Sequence, residues 1–467
     1  MKGQNKGHPQ GIEVNDAQSK LNSTFVRSLV KPSSLHQIQQ LLQDANRLGL
    51  SVSIAGGRHA MGGQQFGSDS LLLDMSNFNE IIALDQDNGL LEVQSGIEWP
   101  KLIGYLHQHS KGERPWAIRQ KQTGVDKVSI GGSLSANIHG RGIDFPPFVS
   151  DIESLTLLDA GGQLQTCSRD NNSELFSLAI GGYGLFGVVV HVTLRLVPRI
   201  KVKRIVEIIA VKDLIPLIER RQQEGYLYGD CQYSIDLSNE AEEHPGVLSC
   251  YKPIDDEGPL PRAQKSLSPE AWKNLYTLAR SDKRRAFEVY SQYYLQTNGQ
   301  IYWSDSHQLS KVFEGYLEAI DESKGTEMIT EVYVKRDLLN SFLAKVRSDF
   351  IEYEVDMTYG TIRFVAEDRE SFLAWATEPL VCIVCNLHVV HSNVGIQKAR
   401  ADFSRIIDRV LEFGGRFFLT YHRWITREQL EAGYPQFREF LDLKLKYDPE
   451  ERFQSDWYRY YKKLFAM

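Results

Sequence analysis

The sequence predicts an α+β protein of two or more lobes, and three observations carry that expectation. The chain has 467 residues with 42% apolar, 24% charged and 10% aromatic content, an ordinary globular makeup at a length that suits about three domain-sized units. Short β-branched runs alternate with amphipathic helical stretches along its whole length. Glycine is unevenly placed: 21 of 36 glycines lie between Gly49 and Gly187, and beyond Pro198 glycine thins while Tyr and Trp rise.

Taken in order, residues 1–20 are polar and read as a flexible N-terminus. VRSLVKP predicts a strand. A helix follows, capped by Ser33 or Ser34, with Leu35, Ile38, Leu41, Leu42, Ala45 and Leu48 on one face and Gly49 at its end. SVSIAGG predicts a strand running into GRHAMGG, then three short strands (LLLDM, IIALD, LLEVQSGI) and a helix over WPKLIGYLHQ. From Gln122 the pattern predicts a loop, QTGVDKVSIGGSLSANIHGRG. Strand ESLTLLD, turn DAGGQL, helix NSELFSLA and strand VVVHVTLRLVP follow. Residues 201–411 read as a second domain, with helices over 211–224, 335–350 and 397–412 between apolar strands. Two polar insertions, IDDEGPLPR and the basic-acidic stretch after Ser281, interrupt it. The tail, 412–467, sets aromatics beside charges and ends in a helix.

Composition narrows the function classes. A net charge of -7, with no basic block longer than Lys283-Arg284-Arg285, argues against a nucleic-acid partner. No apolar run approaches the roughly 18 residues of a membrane span, so no integral membrane contact is expected. The N-terminus lacks the apolar core of a secretory signal. Five cysteines (Cys167, Cys231, Cys250, Cys382, Cys385) are few and odd in number, which fits a reducing compartment and a cytoplasmic protein. Cys382-x-x-Cys385 with His388 sits in a β-branched run. Period-two alternation would turn the two thiols to opposite faces and put Cys382 about 20 Å from His388, so no metal is expected.

Three glycine motifs carry the chemistry. Gly182-Tyr183-Gly184-Leu185-Phe186-Gly187 matches G-x-G-x-x-G, but that fingerprint needs a strand before and a helix after. Here the order is reversed, which predicts a helix-to-strand turn. SIAGGRHAMGG places Gly56, Gly57, Gly62 and Gly63 around Arg58, His59, Ala60 and Met61. Such a loop exposes consecutive backbone N–H groups and suits a pyrophosphate. SIGGSLSANIHGRG adds Gly131, Gly132, Gly140 and Gly142 with Ser133, Ser135, Asn137 and His139. Two such loops suggest one extended anionic ligand held from two sides.

With the turn near Gly182, the order strand-GGRH-loop, VSIGG-x4-N-x-HG, ELF-x4-GGYGLFGVV resembles the FAD-binding domain of the vanillyl-alcohol oxidase and p-cresol methylhydroxylase (PCMH-type) family, over about residues 25 to 200. In the tail, GGRFFLTYHRWIT and DPEERFQSD look like the C-terminal segments of its sugar-acting members: decaprenylphosphoryl-ribose, alditol and aldonolactone oxidases. The resemblance implies a two-subdomain FAD-binding domain over 21–200 and an α+β cap on an antiparallel sheet over 201–411. The segment 412–467 would return to the FAD domain. It implies FAD held by Gly56, Gly57, Arg58, His59, Ala60, Met61, Gly62, Gly63, Thr123, Gly124, Ser129, Gly131, Gly132, Ser135, Asn137, His139, Gly182, Val189 and Phe418.

His59 matches the histidine that alditol and aldonolactone oxidases join covalently to the flavin 8α-methyl carbon. The decaprenylphosphoryl-ribose oxidases have no histidine there and bind FAD non-covalently. A tether and a pocket-lining side chain therefore both stay open. His139 matches a histidine near the flavin, with a loop residue satisfying carbonyls as the other reading. TEVYVKRD resembles the E-Y-x-V-P segment of lactone oxidases, which would turn Glu331 and Tyr333 to the active site. TIRFVAED would add an inward Arg363, and CNLHVV would add His388. Alcohol oxidation needs a group to accept the hydroxyl proton as hydride passes to the flavin, and Glu331, Arg363 and His388 could form that cluster. A buried ion pair serving only the cap is the alternative. One departure stands out: where the decaprenylphosphoryl-ribose and alditol oxidases carry a lysine after GGR, this chain has Tyr421, then His422. Tyrosine brings no positive charge at neutral pH, so either stabilisation of reduced flavin comes from elsewhere or the substrate differs.

The resemblance thus implies an FAD-dependent oxidoreductase acting on a CH–OH group of a polyol, sugar or sugar-like alcohol, with O₂ or another electron acceptor. A decaprenylphosphoryl-ribose-like dehydrogenase using a lipid-linked sugar and a partner acceptor is one alternative. A flavin-binding sensor or ligand-binding module without turnover is another.

Overall fold

The computed structural model describes residues 11–465 apart from 113–114, 239–243, 257, 311 and 322–323. Local signals set its first unit. Ser34 caps the helix Leu35–Leu48 by accepting from the Gln37 amide, and Gly49 closes it at φ 64°, a left-handed conformation glycine adopts without strain. Ile38, Leu42 and Ala45 press the helix onto a parallel sheet ordered Ser28–Val30, Leu71–Asp74, Val52–Ala55. The strand expected over VRSLVKP divides at Arg27. Its first residue, Val26, instead ends a strand Thr24–Val26 that pairs with Ile12–Val14, and Ser28–Val30 joins the parallel sheet.

Residues 11–20 are therefore ordered rather than flexible, because the buried Asp16 carboxylate accepts from the Gln18 amide and from the Asn22 side chain, both at 3.0 Å. Residues 1–10 of the expected flexible N-terminus lie outside the described residues.

A five-stranded antiparallel sheet follows, ordered Leu164–Ser168, Ile152–Leu158, Val188–Arg195, Leu90–Gln94, Ile81–Asp85. The helix Trp99–His109 adds Trp99, Leu102, Ile103 and Leu106 to the core. The loop expected from Gln122 contains a helix, Ile130–Ala136, capped by Ser129 and closed by Asn137 at φ 49°. Gly131 and Gly132 hide it from propensity, but the Ile130 amide bonds the Ile97 carbonyl at 2.8 Å and the Gly131 amide bonds the Ser95 carbonyl at 2.7 Å. Tertiary bonds outweigh the local preference.

Residues 201–417 build an eight-stranded antiparallel sheet ordered Ile301–Trp303, Lys201–Ala210, Pro245–Ile254, Tyr228–Tyr233, Met357–Val365, Leu380–Val390, Gly325–Lys335, Arg416–Phe417. Helix Asn393–Glu412 packs on the strands Leu380–Val390 and Gly325–Lys335, and helix Leu339–Glu352 on Gly325–Lys335. The basic-acidic stretch after Ser281 is not an irregular insertion but the helix Lys283–Leu295, started by Asp282 and preceded by the helix Pro269–Ser281, capped by Ser268. Together they roof the sheet face that carries Glu331 and Arg363.

The tail lies against the first unit. The Val52 amide bonds the Arg452 carbonyl at 2.7 Å, and the Gln454 amide bonds the Val52 carbonyl at 2.9 Å. Asp448 anchors this contact, accepting from the Arg452 and Phe453 amides at 2.8 Å each while it pairs with Lys444, both side chains being buried. Removing one partner of a buried pair leaves the other charge uncompensated. Asp448→Ala is expected to lower the unfolding free energy by about 3–5 kcal/mol in urea denaturation. A loss near the roughly 0.5 kcal/mol of an exposed pair would show that solvent reaches Lys444.

Candidate active site

Two cavities, with open space of about 1330 Å³ and 1340 Å³, share a wall made by Thr123, Val125, Ile329, Glu331, Arg363 and Tyr421. The first is the cleft between the two glycine motifs. Gly56 runs so close to Ser129 that a Cβ would overlap its Oγ, and a Cβ on Gly57 would overlap the Lys127 carbonyl. Arg58 takes a left-handed φ of 60°, held by its ion pair to Asp74 at 2.6 Å and by the Ala17 amide on its carbonyl at 2.8 Å. Among the described residues no chain group accepts from the backbone N–H groups of Gly57, Arg58, His59 and Ala60. Unpaired N–H groups around a left-handed residue form an anion nest.

Of the residues expected to hold a cofactor, Gly56, Gly57, Arg58, His59, Ala60, Thr123, Ser129, Gly131, Gly132, Ser135, His139, Val189 and Phe418 line this cavity. The others do not. Met61, Gly62 and Gly63 turn away to the tail, where the Met61 amide bonds the Thr420 carbonyl at 3.0 Å and Arg423 donates to the Gly62 carbonyl at 3.2 Å. Gly124 faces the second cavity. Asn137 points its amide to Asp368 and Ser371 at 2.8 and 3.1 Å. Gly182 packs on the Leu178 carbonyl, leaving Tyr183, Gly184 and Gly187 at the cavity. The amides of Gly131 and Gly132 are already bonded, to the Ser95 carbonyl and to Ser129 Oγ. The glycine amides at the helix start are thus not available to an anion, whereas those of the first loop are, and the second loop contributes a close-packed wall.

His59 bears on the fit of FAD. Its Nδ1 is buried without a partner, and the ring meets Phe313 edge-on at 4.9 Å. Burial drives its pKa down to about 4, against the opposing Lys127 carbonyl and Asp16, so the ring is neutral near pH 7. With the other ring nitrogen donating to Lys127, Nδ1 presents a lone pair. Thr123 Oγ1 is likewise buried and unpartnered. A nest of free N–H groups, a deep cleft and two orphaned polar atoms fit a dinucleotide.

At the shared wall, Glu331 accepts from the Tyr333 hydroxyl at 3.2 Å and meets Arg363 Nη1 at 3.5 Å. His139 Nε2 lies 3.5 Å from the carboxylate and is otherwise unpartnered. Burial pushes the Glu331 carboxyl up, but His139, Arg363 and Tyr333 more than offset it, so the net direction is down. Burial and the Glu331 charge raise the Tyr421 phenol well above its ordinary value, keeping it neutral. His388 is not in this cluster. It shares the strand face but lies beyond Asn386, bonded to Glu327 at 3.2 Å. Cys382 is the neighbour that spacing missed: its ligand atom and those of His139 and Glu331 lie within 4.8 Å of one another. Burial keeps that thiol well above its ordinary pKa, and Glu331 is already engaged by Arg363 and Tyr333, so the trio reads as a hydrogen-bonded wall. Trp375, stacked on Tyr333 at 4.5 Å, carries no motif that could have revealed it, whereas Tyr183 reaches the cavity from within the Gly182–Gly187 turn.

An FAD binding domain family model matches residues 26–168. L-gulono-1,4-lactone dehydrogenase of Mycobacterium tuberculosis is 23% identical over 444 residues, covering 92% of this chain and 95% of that protein. L-gulonolactone oxidase of Bos taurus is 27% identical over 169 residues, 36% of this chain and 37% of its own length. D-arabinono-1,4-lactone oxidase of Yarrowia lipolytica is 26% identical over 185 residues, 40% of this chain and 35% of its own.

A pH dependence follows from His59 and from His422, whose imidazole burial also pushes down to about 4. Free histidine titrates near 6.5, so between pH 6.5 and 4 the unfolded chain binds protons that the folded one refuses. Stability of the flavin-free protein is expected to be greatest above pH 6.5 and to fall as pH drops towards 4. These two residues add a slope of about 1.4 kcal/mol per pH unit each. His59→Gln should remove about one proton from that slope in urea midpoints measured across this range.

Proposed function

Because this chain belongs to the FAD-binding flavoprotein family of the vanillyl-alcohol oxidase and p-cresol methylhydroxylase type and is an FAD-dependent oxidoreductase, we propose that it oxidises a CH–OH group of a sugar, polyol or sugar-like alcohol. The observation that carries this reading is the wall shared by the two cavities. A substrate in the second cavity would meet the cofactor of the first across Glu331, Arg363 and Tyr421. Bound FAD would supply the hydride acceptor.

The chain's own groups would do the rest. The four free N–H groups from Gly57 to Ala60 would hold the diphosphate. Glu331, kept ionised by its neighbours, would accept the hydrogen bond of the substrate hydroxyl and fix its direction. A carboxylate with lowered proton affinity is a weak base. His139 Nε2, 3.5 Å away, and Arg363 would hold that carboxylate in place as the hydroxyl proton passes to it. Tyr421 would donate from the other side, and Arg363 would supply the positive charge that tyrosine at this position lacks. The neutral His59 with its unpartnered lone pair on Nδ1 supports a covalent link to the flavin. Oxygen or another acceptor would complete the cycle. The five buried, unpaired cysteines suit the cytoplasm.

Two outcomes are expected. Acid precipitation should leave yellow colour in the pellet of the wild type and release it to the supernatant in His59→Ala; free colour from the wild type would exclude the link. Anaerobic addition of a substrate alcohol should bleach the flavin, and Glu331→Gln should slow that bleaching by about 10²–10⁴-fold. An unchanged rate would remove Glu331 from the chemistry.

A further inference from the structure

The floor of the second cavity carries an arrangement of charge that the oxidation itself does not need. Asp230 stands on the strand Tyr228–Tyr233, one residue from the Cys231–Ile362 and two from the Gln232–Thr361 cross-strand pairs, so it falls beside Arg363. Past Asp230 comes Arg141, which also lines the cavity. Its Nη1 reaches the Tyr251 hydroxyl at 3.2 Å, while its Nε is buried and unpartnered. Behind it, Arg204 donates from Nε to the same Tyr251 oxygen at 2.9 Å and from Nη1 to Thr297 at 3.1 Å.

Glu331, Arg363, Asp230, Arg141 and Arg204 thus place three guanidiniums against two carboxylates. The nearby ammoniums are already matched: Lys121 to Asp126 at 2.8 Å and Lys283 to Asp356 at 3.0 Å. Among the described residues, neither Arg141 nor Arg204 has a carboxylate within ion-pair distance. A guanidinium cannot shed its proton, and a buried charge without a counter-charge is costly. His307 reports the same field. Its ring lies 4.3 Å from Tyr251 and both nitrogens lack partners, with burial and the charges of Arg141, Arg204 and Lys121 holding it far below its ordinary pKa.

Resting on the oxidation proposed above, we infer that the second cavity binds a polyhydroxylated monocarboxylate, its carboxylate on Arg141 and its hydroxyls along the floor. Arg141, with a buried unpartnered Nε and, among the described residues, no carboxylate at ion-pair distance, suits a single carboxylate, and a dianion such as a phosphate monoester would crowd Asp230. Hydroxyl donors suit the floor because Gln232 Oε1 and Asn386 Oδ1 are buried acceptors without partners facing the same space. The apolar roof, with Trp272 and Phe287, excludes water and strengthens the charge contact.

The test compares D-gluconate, D-sorbitol and D-glucose 6-phosphate on the holoenzyme, by quenching of tryptophan fluorescence and by flavin bleaching. Gluconate should bind at least about ten-fold tighter than sorbitol, and glucose 6-phosphate should not share the gain. Arg141→Met should erase the preference by weakening gluconate alone. Asp230→Asn, which removes a negative charge from the floor, should tighten gluconate. The opposite signs of these two variants separate an anion site from a general loss of folding, which would weaken both. Equal binding of gluconate and sorbitol, tighter binding of the phosphate, or weaker gluconate binding in Asp230→Asn would overturn the inference. Quenching without bleaching would leave the anion site standing while removing the proposed oxidation. Bleaching by sorbitol with no preference for the acid would do the reverse.

Discussion

The site depends on one close approach, where the loop Gly56–Ala60 passes the entrance of the helix Ile130–Ala136. At Gly56 the neighbour is Ser129 and at Gly57 it is the Lys127 carbonyl, and neither leaves room for a Cβ. The contact joins the small parallel sheet that ends at Ala55 to the antiparallel unit that carries the helix. It also decides which backbone groups remain available. At the helix start the second loop uses the amides of Ile130, Gly131 and Gly132 to bond Ile97, Ser95 and Ser129, so these are not available to an anion as those of Gly57–Ala60 are. Two loops with similar glycine content therefore do different work.

The tail extends the same constraint to the cap. Thr420 takes the Met61 amide, and Leu419 accepts from Gln64 at 2.7 Å, so the turn after the free N–H groups is closed by residues more than 350 positions away. A few residues earlier, the Phe418 amide bonds the Glu331 carbonyl at 3.1 Å, and Arg416–Phe417 is the edge strand of the cap sheet. One short segment thereby fixes the distance between the loop carrying His59 and the strand carrying Glu331. Its mooring at the far end is the buried Lys444–Asp448 pair, whose acceptor oxygens also align the Arg452–Phe453 backbone on Val52.

What was legible in the sequence is what local chemistry controls. Ser34 and Gly49 bound a helix whatever surrounds it, and alternation along residues 325–335 and 380–390 turns Glu331 and His388 to one strand face. Alternation says nothing about where a cavity ends. His388 lies beyond Asn386, where Glu327 bonds it, and so misses the cluster. The helix Ile130–Ala136 was hidden for the opposite reason, since two glycines argue for a loop and only the long-range bonds to Ser95 and Ile97 reveal otherwise. Asp230 and Trp375 belong to no motif, and Arg141, though inside the second glycine motif, carries no sign there of its partners. They come together only through the register of the eight-stranded sheet and the strands beside it.

The tyrosine at position 421 shows how that sheet could compensate for a local change. A lysine there would place an ammonium on the tail; the neutral phenol of Tyr421 leaves the shared wall without one from that side. Arg363 reaches the same wall from the sheet, and its Nη1 meets Glu331 at 3.5 Å. A guanidinium is planar and permanently charged, whereas an ammonium on a flexible stem shifts its pKa readily when buried. The charge at the wall is thus tied to the rigid central strands instead of to a connecting segment. The same strands extend it through Asp230 to Arg141, so the field at the proposed reaction centre and the field at the far end of the second cavity have one origin.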